Sequence, residues 1–519
     1  MVLDVHEITK AAEKDYERAW IEYSEKIPRG STGFKLKNKA KRHPVFEIIQ
    51  KFREILLEMG FEEIILPVIV EEGIVYREYG PEAPVILDRI FYLATLPRPD
   101  IGISREKVNK IREIVPGFDR EEELKRIFRE YKRGGIEADE LIEYMVKDLG
   151  IRQEQATKII DEVFPELKEL KPIPTKLTLR SHMTALWFPV LEAMQYREPL
   201  PIQLFTIGEK FRREQRLDET HLYSSYTASL VIMNDELGLE DGKNVCREIV
   251  NRLGFSEVEF RLKDVTSKYY AAGTEFEVFV RHPKTGEWIE IGDGGMYSPV
   301  SLAMFNIEYP VFNVGFGIER IAMIITGETD VRRLVYPYFY TEPQFSPEDL
   351  ASMLSFIKSP KTREGEMLAN AIVDAAVRHA DEKSPAEVVA WRGRILGKRV
   401  TVTIWERDPG VKLLGPAALN EVWIVNDTII GVPPSQRPEN GYYTGIRYID
   451  GIAKRAAAEA EEIVRRGEKE FSMRVRIVRG LSDINLKLQK AALHYITSKG
   501  SKIDIRGPVF VGITVKVDD

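Results

Sequence analysis

The chain has 519 residues, more than one hydrophobic core normally serves, so two to four domains are expected. Hydrophobic residues at 44% and charged residues at 30% describe a soluble globular chain, without an apolar run long enough to span a bilayer. The net charge of -7 excludes nucleic-acid binding through a global positive field, and the single Cys246 excludes an internal disulfide and any cysteine-cluster zinc site.

The N-terminal residues carry Asp4 and Glu7 among apolar ones, which argues against a cleaved signal peptide; the expectation is a cytoplasmic protein. A polar helix is predicted to about Lys26, followed by a basic stretch (Lys35, Lys37, Lys39, Lys41, Arg42), so that residues 1–42 read as an N-terminal helical extension. From Val45, apolar residues at Ile48, Ile49, Phe52, Ile55, Leu56 and Met59 have helical spacing, and Gly60 stops the helix. Phe61 to Val70 is β-rich and interrupted by Pro67, as at a sheet edge.

Residues 100–172 are highly charged and helical, with breaks at Pro116-Gly117 and Gly134-Gly135, and read as an inserted helical module. Strand-like segments from Lys176 to Thr326 suggest an antiparallel catalytic sheet, giving a catalytic domain over 43–345. Ser346-Pro347 reads as a cap and first helical position opening a helical linker, 346–390. After Trp391 the pattern becomes mixed α/β: strands Arg399 to Trp405 and Glu421 to Val425, an Ala-rich helix ending at Gly467, and an alternating strand Met473 to Val478 with arginines on one face. The whole is an α+β chain whose C-terminal domain spans 391–519.

Two arginine-bearing segments carry the chemistry. In Phe211-Arg212-Arg213-Glu214, alternate residues of a strand share a face, so Arg212 can clamp an α-phosphate while Glu214 accepts from an adenine amino group. In Gly315-Phe316-Gly317-Ile318-Glu319-Arg320, the glycines let backbone approach a nucleotide and Arg320 holds a terminal phosphate at a helix start. Taken singly, each segment is a weak signal and reads more readily as a surface arginine or a tight packing turn. Together, behind the helix-strand-proline element at 45–67, they resemble motifs 2, 3 and 1 of the class II aminoacyl-tRNA synthetases. That resemblance implies ATP and Mg2+ as cofactors, with Gly317 and His221 near the nucleotide and Glu290 as the acid chosen for the metal. Glu290 reads nearly as well as a sheet residue paired with a neighbour.

Within class II, Leu179-Arg180-Ser181-His182-Met183-Thr184, Asp218-Glu219-Thr220-His221, Thr274-Glu275-Phe276-Glu277, Trp288-Ile289-Glu290-Ile291 and Phe312-Asn313-Val314-Gly315 are similar to the phenylalanyl-like subclass. The chain departs from it where an aromatic substrate would sit: Ser225, Tyr226, Thr227, Ala228 and Ser229 follow the loop, and Asn313 stands where a small apolar residue is needed. Thr184, Thr227, Ser229 and Asn313 offer hydroxyl and amide groups that would cost roughly 1–3 kcal/mol each if buried unpaired, so they point to a polar substrate. Each of the four reads equally as a helix cap or a partner of backbone groups.

That polar pocket, the helical insertion and the C-terminal extension resemble the archaeal O-phosphoseryl-tRNA synthetases. The resemblance implies O-phosphoserine as substrate, with His182, Met183, Thr184, Thr227, Ser229 and Asn313 around it, tRNA (that for cysteine) as partner, and a homotetramer. No lysine or arginine aimed at the substrate phosphate is evident in the sequence. The C-terminal domain is the expected anticodon reader, with Arg474, Arg476, Arg479, Trp405, Trp423, Tyr442 and Tyr443 suited to stacking and phosphate contact or, for the tryptophans, to core packing. Two alternatives stand beside this: a phenylalanyl-tRNA synthetase catalytic chain, and a synthetase paralogue that no longer catalyses and acts as a binding module.

Overall fold

The computed structural model describes residues 3–31, 36 and 40–518. Lys35, Lys37 and Lys39 of the basic stretch lie outside the described residues. The chain divides between Thr341 and Glu342 into two compact units.

The first unit is built on a sheet of seven strands among the described residues. Their order is Glu62–Glu63, Ile202–Phe211, Ser224–Met233, Val311–Gly317, Trp288–Met296, Phe276–Arg281, Val258–Leu262. The first pair is parallel and every other pair antiparallel. Period-two alternation in the central strands separates two unlike faces. Phe205, Leu230, Ile232, Phe312, Val314 and Phe316 face one way into a buried core, against the helices Pro44–Glu58, Leu239–Leu253 and Ile318–Thr326. On the opposite face Ile202, Leu204, Val231, Met233 and Val311 form an apolar half, packed with Leu186, Trp187, Phe188 and Leu191 of the helix Thr184–Met194. Further along the same face the alternating positions turn small and polar: Thr206, Gly208 and Lys210 pair with Ser229, Thr227 and Ser225. The site lies over this second half.

Local signals explain the element ends. Pro44–Glu58 opens on proline at its first position and stops before Gly60, which adopts a left-handed φ of 86°. The opening helix of the sequence reading is instead two helices, Val5–Lys14 and Tyr16–Glu25. Asp15 leaves the helical path between them, and its carboxylate accepts from Arg18 N–H as the cap of the second.

The insertion folds as the helices Arg105–Ile114, Glu121–Arg133, Leu141–Leu149 and Gln153–Val163, broken at the two positions its sequence indicates and also at left-handed Gly150. Ile111, Leu124, Ile127, Met145, Ala156, Ile159 and Phe164 give it a hydrophobic core of its own.

The second unit carries an antiparallel sheet in the order Ala386–Ile395, Lys398–Glu406, Gly507–Asp518, Glu470–Val478, and a second sheet in the order Tyr442–Arg447, Glu421–Val425, Thr428–Val432, Ile503–Asp504. Ser346 caps Pro347–Ser352 with its side chain on Asp349 N–H. The helix Arg363–Arg378, within the expected linker, places Leu368, Ala369 and Ile372 in one core with Val402, Ile404 and Ile452. A linker pattern and a core helix share one apolar periodicity, and burial alone distinguishes them. The Ala-rich helix is Tyr448–Arg466, ended by left-handed Gly467.

Candidate active site

The strand Ile202–Phe211 stops one residue before Arg212, so Arg212 and Glu214 lie on the segment leaving the sheet and not on a strand face as the sequence reading has them. The ladder still extends to Arg212, whose N–H donates to Tyr223 O at 2.8 Å. Its guanidinium Nε donates to Ser181 O at 3.2 Å, which joins the segment after the strand to the loop that carries His182, Met183 and Thr184. Glu214 is half-buried, 3.3 Å from the Arg89 guanidinium, and Arg213 is held by the backbone and side chain of Asp88.

His221 sits on the exposed loop beyond, its Nδ1 2.9 Å from Asp218 Oδ1. Asp218 also accepts from the N–H groups of Thr220 and His221. The Thr220 backbone donor first, and then His221, hold the Asp218 carboxyl well below the usual range.

Arg180 anchors the loop that carries His182, Met183 and Thr184. Its guanidinium donates to Glu209 O at 2.7 Å, Leu66 O at 2.6 Å and Pro67 O at 3.0 Å, tying the proline element to the strand Ile202–Phe211. Gly208 makes room for it, since a Cβ there would lie 2.5 Å from an Arg180 guanidinium nitrogen.

His182 is buried beside this clamp. Its Nε2 lies 2.9 Å from the Tyr79 hydroxyl, and its Nδ1 lies 4.0 Å from Glu78 Oε1 without a hydrogen bond. Burial, with the neighbouring Arg212 and Lys210 charges, pushes the imidazole down to about 3, so His182 is neutral. Glu78 is buried with neither carboxyl oxygen hydrogen-bonded, and burial pushes its carboxyl well above the ordinary range. Met183 is buried, and Thr184 is the first residue of its helix, where its side chain does not serve as the cap.

The polar floor divides into satisfied and free groups. Asn313 donates to Leu230 O at 2.8 Å and accepts from Tyr270 OH at 2.9 Å, so its amide is largely used inside the protein. Ser229 Oγ accepts from Trp187 Nε1 at 2.9 Å, with Asn313 Nδ2 at 3.4 Å, and its hydroxyl proton remains available. Thr227 Oγ1 is buried and has no hydrogen-bond partner among the described residues.

At the far edge Gly317 ends the strand Val311–Gly317, and Arg320 lies in the first turn of the helix that follows. Arg320 Nη1 is 3.0 Å from Glu290 Oε2 and donates to Glu290 O at 3.0 Å, so Glu290 is paired as the alternative reading had it. No group of three or more His, Cys, Asp or Glu among the described residues could hold a metal ion. One carboxylate suits a hard cation bound mainly through substrate phosphates, the usual habit of Mg2+. Glu319 is buried and accepts from Tyr226 N–H at 2.6 Å; burial lifts its carboxyl to about 7.

Lys210 escaped the sequence reading although it stands two residues before Arg212, the spacing that shares a strand face. Trp187, Tyr270 and Glu78 carried no sequence signal, because each reaches the site from a segment remote in the chain. In the second unit Trp405 is buried with its Nε1 on Thr514 Oγ1, and Arg474 is ion-paired to buried Glu406 and to Asp408. Arg476 pairs with Asp408 at 3.0 Å, whereas Arg479 and Tyr442 are exposed. Trp423 stacks on Tyr443 with ring centroids 5.3 Å apart.

Residues 100–345 match the family described as tRNA synthetases class II core domain (F). Over its entire length the chain is 42% identical to a Methanocaldococcus jannaschii protein named O-phosphoserine--tRNA(Cys) ligase, all of which is covered. It is likewise 42% identical to the protein of that name from Archaeoglobus fulgidus and 41% identical to that of Methanococcoides burtonii, with 100% of each chain covered in both comparisons. With this whole-length identity to ligases of one name and the class II core match, the chain belongs to the archaeal O-phosphoserine--tRNA(Cys) ligase family of class II tRNA synthetases.

Proposed function

We propose that this chain activates O-phosphoserine with ATP and transfers it to the tRNA for cysteine. The observation that carries the reading is the whole-length likeness to ligases of that name, and the polar sheet face supports it. A phenylalanyl side chain laid on this floor would leave the buried Thr227 hydroxyl and the Ser229 proton unpaired, at a cost of roughly 1–3 kcal/mol each.

In the first step the substrate carboxylate oxygen forms a bond to the α-phosphorus, the bond to the bridging oxygen breaks, and pyrophosphate leaves with the electron pair. Positioning and charge stabilisation supply most of the acceleration. Arg212 neutralises the charge growing on the α-phosphoryl oxygens, and Arg320 holds the outer phosphates at the opposite end of a bent ATP. Glu214 accepts from the adenine amino group, His221 approaches the outer phosphates from its loop, and the bare backbone at Gly317 admits the nucleotide. Mg2+ when bound would neutralise phosphate charge, with Glu290 as the protein's carboxylate toward it.

His182, Met183, Thr184, Thr227, Ser229 and Asn313 surround the amino acid. His182 is neutral and can accept or donate without adding charge. In the second step a terminal ribose hydroxyl of the tRNA attacks the adenylate carbonyl, its proton passes to a substrate oxygen, and AMP leaves. The C-terminal unit reads the anticodon, with exposed Arg479 and Tyr442 better placed for RNA than buried Trp405 or ion-paired Arg474. The working protein is a cytoplasmic homotetramer.

ATP-pyrophosphate exchange with phosphoserine, serine, cysteine and phenylalanine in parallel tests the substrate. Exchange with phosphoserine alone is expected. Exchange with phenylalanine, or with serine in preference to phosphoserine, overturns the assignment.

A further inference from the structure

The hydroxyls of the floor can donate hydrogen bonds to a phosphate, but they do not neutralise it. A phosphoserine carries about -1.5 to -2 charges at neutral pH, and taking that charge into a partly buried site needs a facing cation. Arg212 and Arg320 are both assigned to ATP above, and Arg180 is turned away onto three backbone carbonyls.

Lys210 remains. It is the last position on its face of the strand Ile202–Phe211, and its partner across the ladder is Ser225. The next pairs inward on that face are Gly208 with Thr227 and Thr206 with Ser229. The strand therefore sets Lys210, the Thr227 level and the Ser229 level in a row running from the end of the strand to the pocket floor, with Arg212 on the segment that leaves the sheet two residues beyond Lys210. On the neighbouring strand, Gly317 and Gly315 pair with Thr227 and Ser229, so no side chain from those positions fills the space above them.

Lys210 is half-buried and its ammonium makes neither a hydrogen bond nor an ion pair with any described residue, unusual for a lysine drawn in from solvent. The charged groups facing it are Arg212 and Arg320, which oppose its charge, and Asp293 and Glu319, which favour it. Asp293 has another cation, Lys263, at 3.9 Å, and Glu319 is engaged by Tyr226 N–H. Lys210 and Arg212 are also the two cations that act on His182, so strand and substrate loop face one space.

We infer that Lys210 is the cation that receives the side-chain phosphate of the substrate, its ammonium lying between Arg212 and the Thr227–Ser229 floor. This rests on the proposed substrate and deepens it: discrimination between phosphoserine and serine comes from Lys210, while the hydroxyls orient the phosphate once it is neutralised. An unpaired ammonium in a preformed pocket disfavours an uncharged substrate and is satisfied by an anionic one. Burial, then Arg212, lower the Lys210 ammonium to about 8, so the pocket loses this charge just above neutrality.

The test uses the full chain with Lys210→Met and Lys210→Arg. ATP-pyrophosphate exchange is measured against phosphoserine and against ATP from pH 6.5 to 9.5, with thermal melting of each variant. Lys210→Met is expected to raise KM for phosphoserine about 10- to 100-fold, the worth of one charge-assisted hydrogen bond, while KM for ATP stays within about threefold. Lys210→Arg recovers part of the loss. In the wild type KM for phosphoserine climbs above pH 8, and in Lys210→Arg that climb is absent, which separates it from titration of the substrate's own amino group.

A loss shared equally by ATP, or a fall in kcat with KM for phosphoserine unchanged, overturns the inference and moves Lys210 to the α-phosphate. So does an identical pH profile in wild type and Lys210→Arg, a comparison that stands even if Lys210→Met does not fold. Failure of the wild type to exchange with phosphoserine at all defeats the substrate reading itself and is distinct from each of these.

Discussion

Arg320 meets Glu290 at two points: one guanidinium nitrogen lies 3.0 Å from Glu290 Oε2 and also donates to the carbonyl oxygen of the same residue at 3.0 Å. The arginine of the helix start is thereby held against the neighbouring strand Trp288–Met296. The carboxylate chosen for the metal is the one that orients it.

The pair is well exposed on both sides, so its net contribution to folding is below about 1 kcal/mol. Glu290→Gln is expected to leave the melting temperature nearly unchanged while raising the Mg2+ concentration needed for half-maximal exchange. Arg320→Ala should lower kcat/KM for ATP by about 10²-fold or more, as for loss of one transition-state donor. Magnesium titrations of exchange, alongside melting curves, check both. An unaltered Mg2+ requirement in Glu290→Gln would remove Glu290 from the metal.

Thr227 and Asn313 separate substrate contact from internal support. Asn313→Ala strands the buried Tyr270 hydroxyl and one partner of Ser229, and is expected to cost roughly 1–3 kcal/mol of stability. Thr227→Val removes a hydroxyl without a protein partner, so folding stability should hold or rise slightly. Its KM for phosphoserine should climb about tenfold for a lost bond to a charged group. Denaturant melts and exchange kinetics on the two variants would show opposite patterns; equal destabilisation would mean that Thr227 also supports the fold.

Glu78 and His182 make stability depend on pH in opposite directions. The buried Glu78 carboxyl titrates above its ordinary 4.5, so above that pH the unfolded chain releases a proton the folded chain keeps, and stability declines with rising pH. His182 titrates near 3 when folded against 6.5 when unfolded, so stability declines as pH falls below 6.5. Glu78→Gln should flatten the first slope and His182→Asn the second. Urea midpoints between pH 4 and 8 for the three proteins measure this, and unchanged slopes in both variants would contradict the burial argument.

Gly208→Ala places a methyl 2.5 Å from the Arg180 guanidinium, which is held by three carbonyls and has little room to yield. Overpacking of this kind costs about 1–3 kcal/mol. It also moves the loop bearing His182, Met183 and Thr184. A lower melting temperature together with a severe loss of exchange is expected, and wild-type kinetics in Gly208→Ala would show that the clamp does not position the loop.

Much of the fold was legible because its signals are local. The helix Pro44–Glu58 and its glycine stop, the helical character of the insertion with its breaks at Pro116-Gly117 and Gly134-Gly135, and the Ser346 cap each depend on residues within a few positions of one another. The segments that carry Arg212 and Arg320 were legible as strand and helix start for the same reason, although the strand ends one residue before Arg212, a boundary set by pairing across the sheet and invisible in one strand's sequence. The sequence by itself also determined the polar character of the pocket, since period-two alternation assigns Thr227 and Ser229 to one face whatever they touch.

Tertiary structure alone decided which of those groups are free. Ser229 and Asn313 are engaged by Trp187 and Tyr270, about forty residues away in sequence in each case, whereas Thr227 is unpartnered. It decided equally that Arg474 is bound to Glu406, that the helix Arg363–Arg378 belongs to a core, and that Lys210 shares a sheet face with the Thr227 and Ser229 levels. Residue type and periodicity state what a side chain can offer; whether a hydrogen bond or charge remains available depends on partners that only long-range packing brings within reach.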